Sequence, residues 1–158
     1  MGKTVVEQKK YSVEEVYDML RVVYERNKGL RLNKAEQKSK KNDIIVDGFR
    51  VHAYSQRYLN FMTNGTKCVC CGKEGKYFQL RGEKGTNRRH FDLYAEDGTL
   101  ITKDHIVPKS RGGRDIISNY QTMCEPCNMA KGNQYDETEV CNLNVYKSQI
   151  PKDEMGIP

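Results

Sequence analysis

ITKDHIVPKSRGGRDIISNYQTMCEPCNMAKGN, residues 101–133, is the stretch on which the reading of this chain turns. It opens on a β-like run, Thr99 to Val107, that carries Asp104-His105 near its end. It then enters a loop through Pro108, Ser110 and Gly112-Gly113. It closes on a helix expected from Cys124 or Glu125 to Lys131, with Gly132 as the stop. Asn128 and Lys131, three residues apart, fall on roughly one face of that helix.

Working outward, Cys124-x-x-Cys127 at the head of the helix has a counterpart upstream, Cys68-x-x-Cys71 followed by Gly72. Two residues between ligands let one tight turn aim two sulfurs at one ion. Two such knuckles complete a tetrahedral Zn²⁺ site. Four protein ligands leave no open position, so this zinc is expected to be structural, with Cys68, Cys71, Cys124 and Cys127 as ligands. Cys70 and Cys141 are left outside the set.

The joint pattern resembles the HNH endonuclease family, in the branch whose motif lies between two C-x-x-C knuckles. The matching residues are Asp104-His105-Ile-Val-Pro108, Ser110, Gly112-Gly113, Asn119, Cys124-x-x-Cys127-Asn128 and Lys131-Gly132. Asn119 follows His105 by 14 residues and Asn128 follows it by 23. The resemblance spans about residues 66–133. It implies an α+β, ββα-metal nuclease domain: a hairpin, an irregular loop and a helix around one ion. Asn128 stands where the family name has its second His, which makes this an H-N-N variant.

Roles follow from that resemblance and from the residues. Phosphodiester hydrolysis needs a base for the water, a cation for the charge on the leaving oxygen, and positive groups for the phosphate. His105 is the candidate base, since imidazole titrates near neutrality. Asp104 and Asn128 are implied to hold Mg²⁺ or Mn²⁺, oxygen donors favouring a hard ion. Adjacent strand residues face opposite ways, so Asp104 and His105 need different roles or a twist between them. Asn119 is implied to fix the loop and orient His105. Lys131, Lys109, Arg111, Arg114, Arg88 and Arg89 are the candidate nucleic-acid contacts.

The rest of the chain is read as three regions. Residues 1–63 are expected to form a basic, helical extension, frayed over 1–10. Ser12 and Glu15 make a capping box, and Val13, Val16, Tyr17, Leu20, Val23 and Tyr24 repeat at helical spacing up to Asn27-Lys28-Gly29. Residues 31–43 suit a solvated helix or a connector. Residues 44–63 fit a strand pair about Asp47-Gly48 or the lead into a helix over 51–62, and the helix is preferred. Residues 64–134 form the expected nuclease domain, with β-like pieces at 77–80, 90–95 and 99–107, a hairpin turn at 96–98 and a basic loop at 81–89. Residues 135–158 are expected to be an acidic, irregular tail.

Charge is uneven along the 158 residues, whose net is +6: residues 1–132 carry 25 Lys/Arg against 16 Asp/Glu, and residues 133–158 hold five Asp/Glu against two Lys/Arg. A basic body suits a polyanion, because Lys and Arg displace counterions from phosphates. Double-stranded DNA is the expected partner. No stretch approaches the roughly 18 apolar residues of a spanning helix, and no signal peptide is visible. The expected compartment is therefore the cytoplasm, or the host cytoplasm for a phage-type protein, where thiols stay reduced. A zinc-stabilised nucleic-acid-binding module without catalysis is the competing reading. The sequence leaves monomer or homodimer open, and with it nicking or double-strand cleavage.

Overall fold

The computed structural model describes residues 2–135. Cys141 and almost all of the expected acidic tail lie outside the described residues.

The centre of the fold is a long antiparallel pair, β5 (Gly75–Glu83) and β6 (Arg88–Ala95). Phe78, Leu80, Phe91 and Leu93 alternate along it with more polar residues and are buried, as expected for strands with one face on a core. The basic loop expected at 81–89 shrinks to residues 84–87, because its two ends continue the strands. A hairpin turn through Glu96-Asp97-Gly98 leads from β6 into β7 (Leu100–His105), with Leu93 opposite Ile101. β7 pairs antiparallel with β8 (Tyr120–Cys124), and α4 (Glu125–Lys131) follows directly. The β7–loop–β8–α4 run is the ββα unit the resemblance implies.

The N-terminal region is not purely helical, and this corrects the expectation for residues 1–63. β1 (Thr4–Val6) and β2 (Tyr11–Ser12) both pair with β5. The segment expected to fray is held by the unpaired edge of a strand some seventy residues away. β3 (Asp43–Val46) and β4 (Phe49–His52) form a hairpin around Asp47-Gly48, and β4 adds in parallel to the start of β6. This corrects the preferred helix over 51–62, since Val51 and His52 belong to β4 and the helix starts only at Gln56. The strand pair comes first and α3 (Gln56–Asn64) follows it.

α1 (Val13–Arg26) has the expected capping box. Glu15 N donates to Ser12 Oγ, and the Glu15 carboxylate accepts from Ser12 N. It buries Val16, Leu20 and Val23. After it come a single turn, α2 (Lys34–Gln37), and a 3₁₀ turn, Lys40–Asn42. One hydrophobic cluster joins Val16, Leu20, Tyr58, Phe61, Phe78, Phe91, Ile101 and Met123. It therefore spans both sides of residue 63. Edge-to-face rings, Tyr11 on Phe91 at 5.5 Å and Phe78 on Phe91 at 5.8 Å, fill the interior of a chain that has no Trp. Among the described residues no helix is long and apolar enough to cross a membrane.

Candidate active site and metal centre

The two cysteine knuckles meet. The first is a tight turn: Cys68 N donates to Lys73 O at 2.8 Å, and Gly72 N donates to Cys68 O at 3.0 Å. Gly72 has φ +78°, where a side chain would be strained. The second knuckle is the start of α4, with Cys124 at the cap. Val69 N, donating to Thr122 O at 2.9 Å, ties the first knuckle to the end of β8.

The sulfurs of Cys68, Cys71, Cys124 and Cys127 all lie within 4.8 Å of one another, and Cys71 Sγ is 3.6 Å from Cys124 Sγ. Tetrahedral zinc at the usual zinc–sulfur length separates its sulfurs by about 3.8 Å. The four thiols therefore fit one zinc ion, and Cys70 is not part of the cluster. Burial opposes ionisation of Cys68, but backbone groups of Cys124, Cys71 and Cys70 outweigh it and bring the thiol down to about 7.

Between β7 and β8 the loop is organised by Asn119, which is buried. Its Oδ1 accepts from Val107 N at 2.9 Å, and its Nδ2 donates to Val107 O at 3.0 Å and to Arg114 O at 2.9 Å. These bonds staple both ends of the loop to backbone, and none of them goes to His105 itself. Gly113 is required by close approach: a Cβ there would sit 1.7 Å from Val107 O.

The loop delivers Asp115 to His105. Nε2 of His105 lies 2.7 Å from Asp115 Oδ1, and Lys109 Nζ lies 2.8 Å from Asp115 Oδ2. Hydrogen bonds from Lys109 and then His105 hold the Asp115 carboxyl down at about 2. Ionised, it can only accept, so the bond calls for a hydrogen on Nε2, and in the neutral ring the lone pair then falls on Nδ1. The His105 ring also meets Tyr120 edge-on, with centroids 5.1 Å apart.

The opposite face of β7 carries Asp104, as strand alternation requires. Asp104 is buried; its Oδ2 accepts from Gln121 Nε2 at 2.9 Å and is 3.1 Å from Lys131 Nζ. Asn128 Nδ2 donates to Thr102 Oγ1 at 2.8 Å, one strand repeat before Asp104. α4 thus lays Asn128 and Lys131 along the face of β7 that holds Thr102 and Asp104.

Residues 95–144 match the family model described as HNH endonuclease. This part of the chain is similar to the HNH endonuclease family. No curated protein and no solved structure matches the chain.

Two expected nucleic-acid contacts are placed elsewhere. The Lys131 side chain has no exposed surface; it pairs with Asp104 and donates to the His105 carbonyl at 2.9 Å. Arg89 is also buried, paired with Glu7 at 3.2 Å and lying over the Phe49 ring. Arg88 is exposed but is drawn to Asp43 at 3.4 Å. Arg111 and Arg114 are exposed on the loop, and Lys109 is committed to Asp115. His52 and His90 pair with Asp43 and Asp92.

Three polar partners are absent from the sequence-level set: Asp115, Gln121 and Thr102. Thr102 and Gln121 follow from strand geometry once β8 is known, since Gln121 is the cross-strand partner of Asp104. Asp115 has no such signal, because only the folded loop brings it to His105.

Proposed function

We propose that the HNH domain hydrolyses DNA phosphodiester bonds, leaving 5′-phosphate and 3′-hydroxyl ends. In this reading residues 64–134 are the nuclease unit, 1–63 are its flank and 135–158 are an acidic tail. His105 takes a proton from the attacking water. The observation that carries this reading is its contact with Asp115. A carboxylate that accepts from Nε2 fixes the tautomer and leaves Nδ1 as the basic atom, which is what a general base needs.

Asp104 and Asn128 are the residues that would hold a divalent ion, Mg²⁺ or Mn²⁺. Their donor set is a carboxylate and an amide oxygen, and the Asn128 NH₂ is already engaged by Thr102. Gln121 Oε1 adds to the fit: it is buried next to the Asp104 carboxylate and has no hydrogen-bond partner among the described residues. A bound ion would stabilise charge developing on the leaving oxygen. Lys131 has a positioning part, holding Asp104 and the His105 carbonyl against α4 at once.

The reading as a zinc-stabilised binder without catalysis draws on one contact, since the Lys131 ammonium already neutralises Asp104. Supercoiled plasmid incubated with Mg²⁺ or Mn²⁺ separates the two. Cleavage by the wild type that disappears in His105→Ala supports the nuclease. Intact plasmid with both ions at full zinc content leaves only the binder.

A further inference from the structure

An open cleft of about 840 Å³ lies beside His105, between residues of the 31–38 segment and the β7–β8 unit. Its size falls within the roughly 300–1,000 Å³ of small-molecule sites, but such sites are mostly apolar. This one is cationic. Arg31, Lys34 and Lys38 line one wall, Lys103 and Arg114 line the other, and Asp115 is its single carboxylate.

Two observations bear on these five cations. Five arginines of the sheet and α3 are neutralised internally: Arg50 and Arg88 by Asp43, Arg57 and Arg81 by Asp92, and Arg89 by Glu7. None of the five cleft cations is ion-paired among the described residues. The acids that could quench them are committed elsewhere. Glu36 closes the capping box of α2 with Asn33, and Asp115 is held by His105 and Lys109. Lys103 is half-buried, with its ammonium 4.2 Å above the Tyr120 ring. Keeping an unpaired ammonium partly out of water costs free energy, which a bound anion would offset.

The second observation is continuity with the candidate catalytic group. Lys103 and His105 lie two residues apart on β7 and so share a face. Tyr120 and Asp115, both in the cleft lining, contact the His105 ring. An anion chain that places one phosphate at His105 would continue between Lys103 and Arg114 and along the 31–38 wall.

We infer that this cleft grips the DNA backbone beside the cleaved phosphate, with Arg31, Lys34 and Lys38 binding phosphates that the HNH domain alone cannot reach. The N-terminal region then supplies affinity while the chemistry stays in the HNH domain. This assignment rests on the nuclease reading for its orientation, but its binding test does not depend on cleavage.

The test uses the full chain carrying His105→Ala, a fluorescent 24-base-pair DNA duplex, and anisotropy over 50–200 mM NaCl without divalent ions. Each phosphate contact removed should lower the slope of log K against log salt by about 0.9. The triple variant Arg31→Gln/Lys34→Gln/Lys38→Gln should therefore lose about two to three units of slope, and at least about tenfold in affinity at low salt. Lys28→Gln/Lys40→Gln/Lys41→Gln removes the same charge from exposed lysines outside the cleft lining and should change affinity less than threefold. In the His105 background the cleft triple should raise KM on plasmid and leave kcat near wild type. Equal losses in the two triples, or no loss in either, would overturn the cleft assignment, as would a parent protein that does not bind the duplex. A cleft triple that loses binding beside a wild type that never cuts would keep the cleft and sink the nuclease. A wild type that cuts beside a triple that binds normally would do the reverse.

Discussion

Asp115 Oδ1 stands 2.7 Å from His105 Nε2, brought there by a loop that reverses between β7 and β8. Hydrogen bonds to charged groups contribute about 1.5–3 kcal/mol, which is roughly 10- to 100-fold in rate. Asp115→Asn can present its NH₂ to Nε2 and so favour the opposite tautomer. We expect kcat for plasmid nicking to fall by about that factor at unchanged zinc content. An unchanged kcat would remove Asp115 from the mechanism.

The same carboxylate gives a pH prediction. Its pKa is held at about 2, below the ordinary 3.8, by Lys109 and His105. A depressed folded-state value means that its stabilising contribution is complete above about pH 4 and lost as pH falls through about 2. Carboxyl ¹³C titration should show Asp115 staying ionised as pH falls past 3.8 and becoming protonated only at about 2. A midpoint at or above 4 would contradict the ion pairs with Lys109 and His105.

Asn119→Ala strips three hydrogen bonds from loop backbone that has no other partner for them in the described contacts. An unsatisfied buried group costs about 1–3 kcal/mol, or roughly 3–10 °C in Tm for a domain of this size. Activity should be lost along with the His105–Asp115 alignment. A variant with wild-type Tm would show that the Gly112-Gly113 turn holds the loop without the amide.

Lys131→Ala leaves the buried Asp104 carboxylate without its ammonium. Removing one partner of a buried pair costs about 3–5 kcal/mol, readable as a lower urea midpoint. If Asp104 takes a divalent ion, millimolar Mg²⁺ should recover part of that loss. Recovery that is equal in Lys131→Ala/Asp104→Asn would show that the ion acts elsewhere.

Serine at Cys68, Cys71, Cys124 or Cys127 should release one zinc per chain and lower the melting temperature sharply, because metal-binding free energy is folding free energy. Full zinc content in all four variants would end the four-thiolate assignment.

Particular elements show how far the sequence reaches. Periodicity and a capping box gave α1 nearly to the residue, because those signals are local. Knuckle spacing likewise predicted the four-cysteine cluster. β1 and β2 were missed because what orders them is the edge of β5, which no window over residues 1–12 contains. Lys131 looked like a phosphate contact because charge in a helix's last turn is usually solvated. Its burial depends on Asp104 lying across from it.

The sequence by itself determined the chemical inventory: two cysteine knuckles, an Asp-His strand end, an amide in the loop and an amide on the helix. Those are fixed by residue type and short spacing, which local geometry cannot undo. The tertiary structure alone decided which charges are spent inside and which remain for a ligand. Lys131 and Arg89 are consumed by buried partners, while Arg31, Lys34 and Lys38 are left unpaired beside His105. Ion pairing is a long-range property of packing. A lysine's charge is written in the chain, but its partner is chosen only when the chain folds.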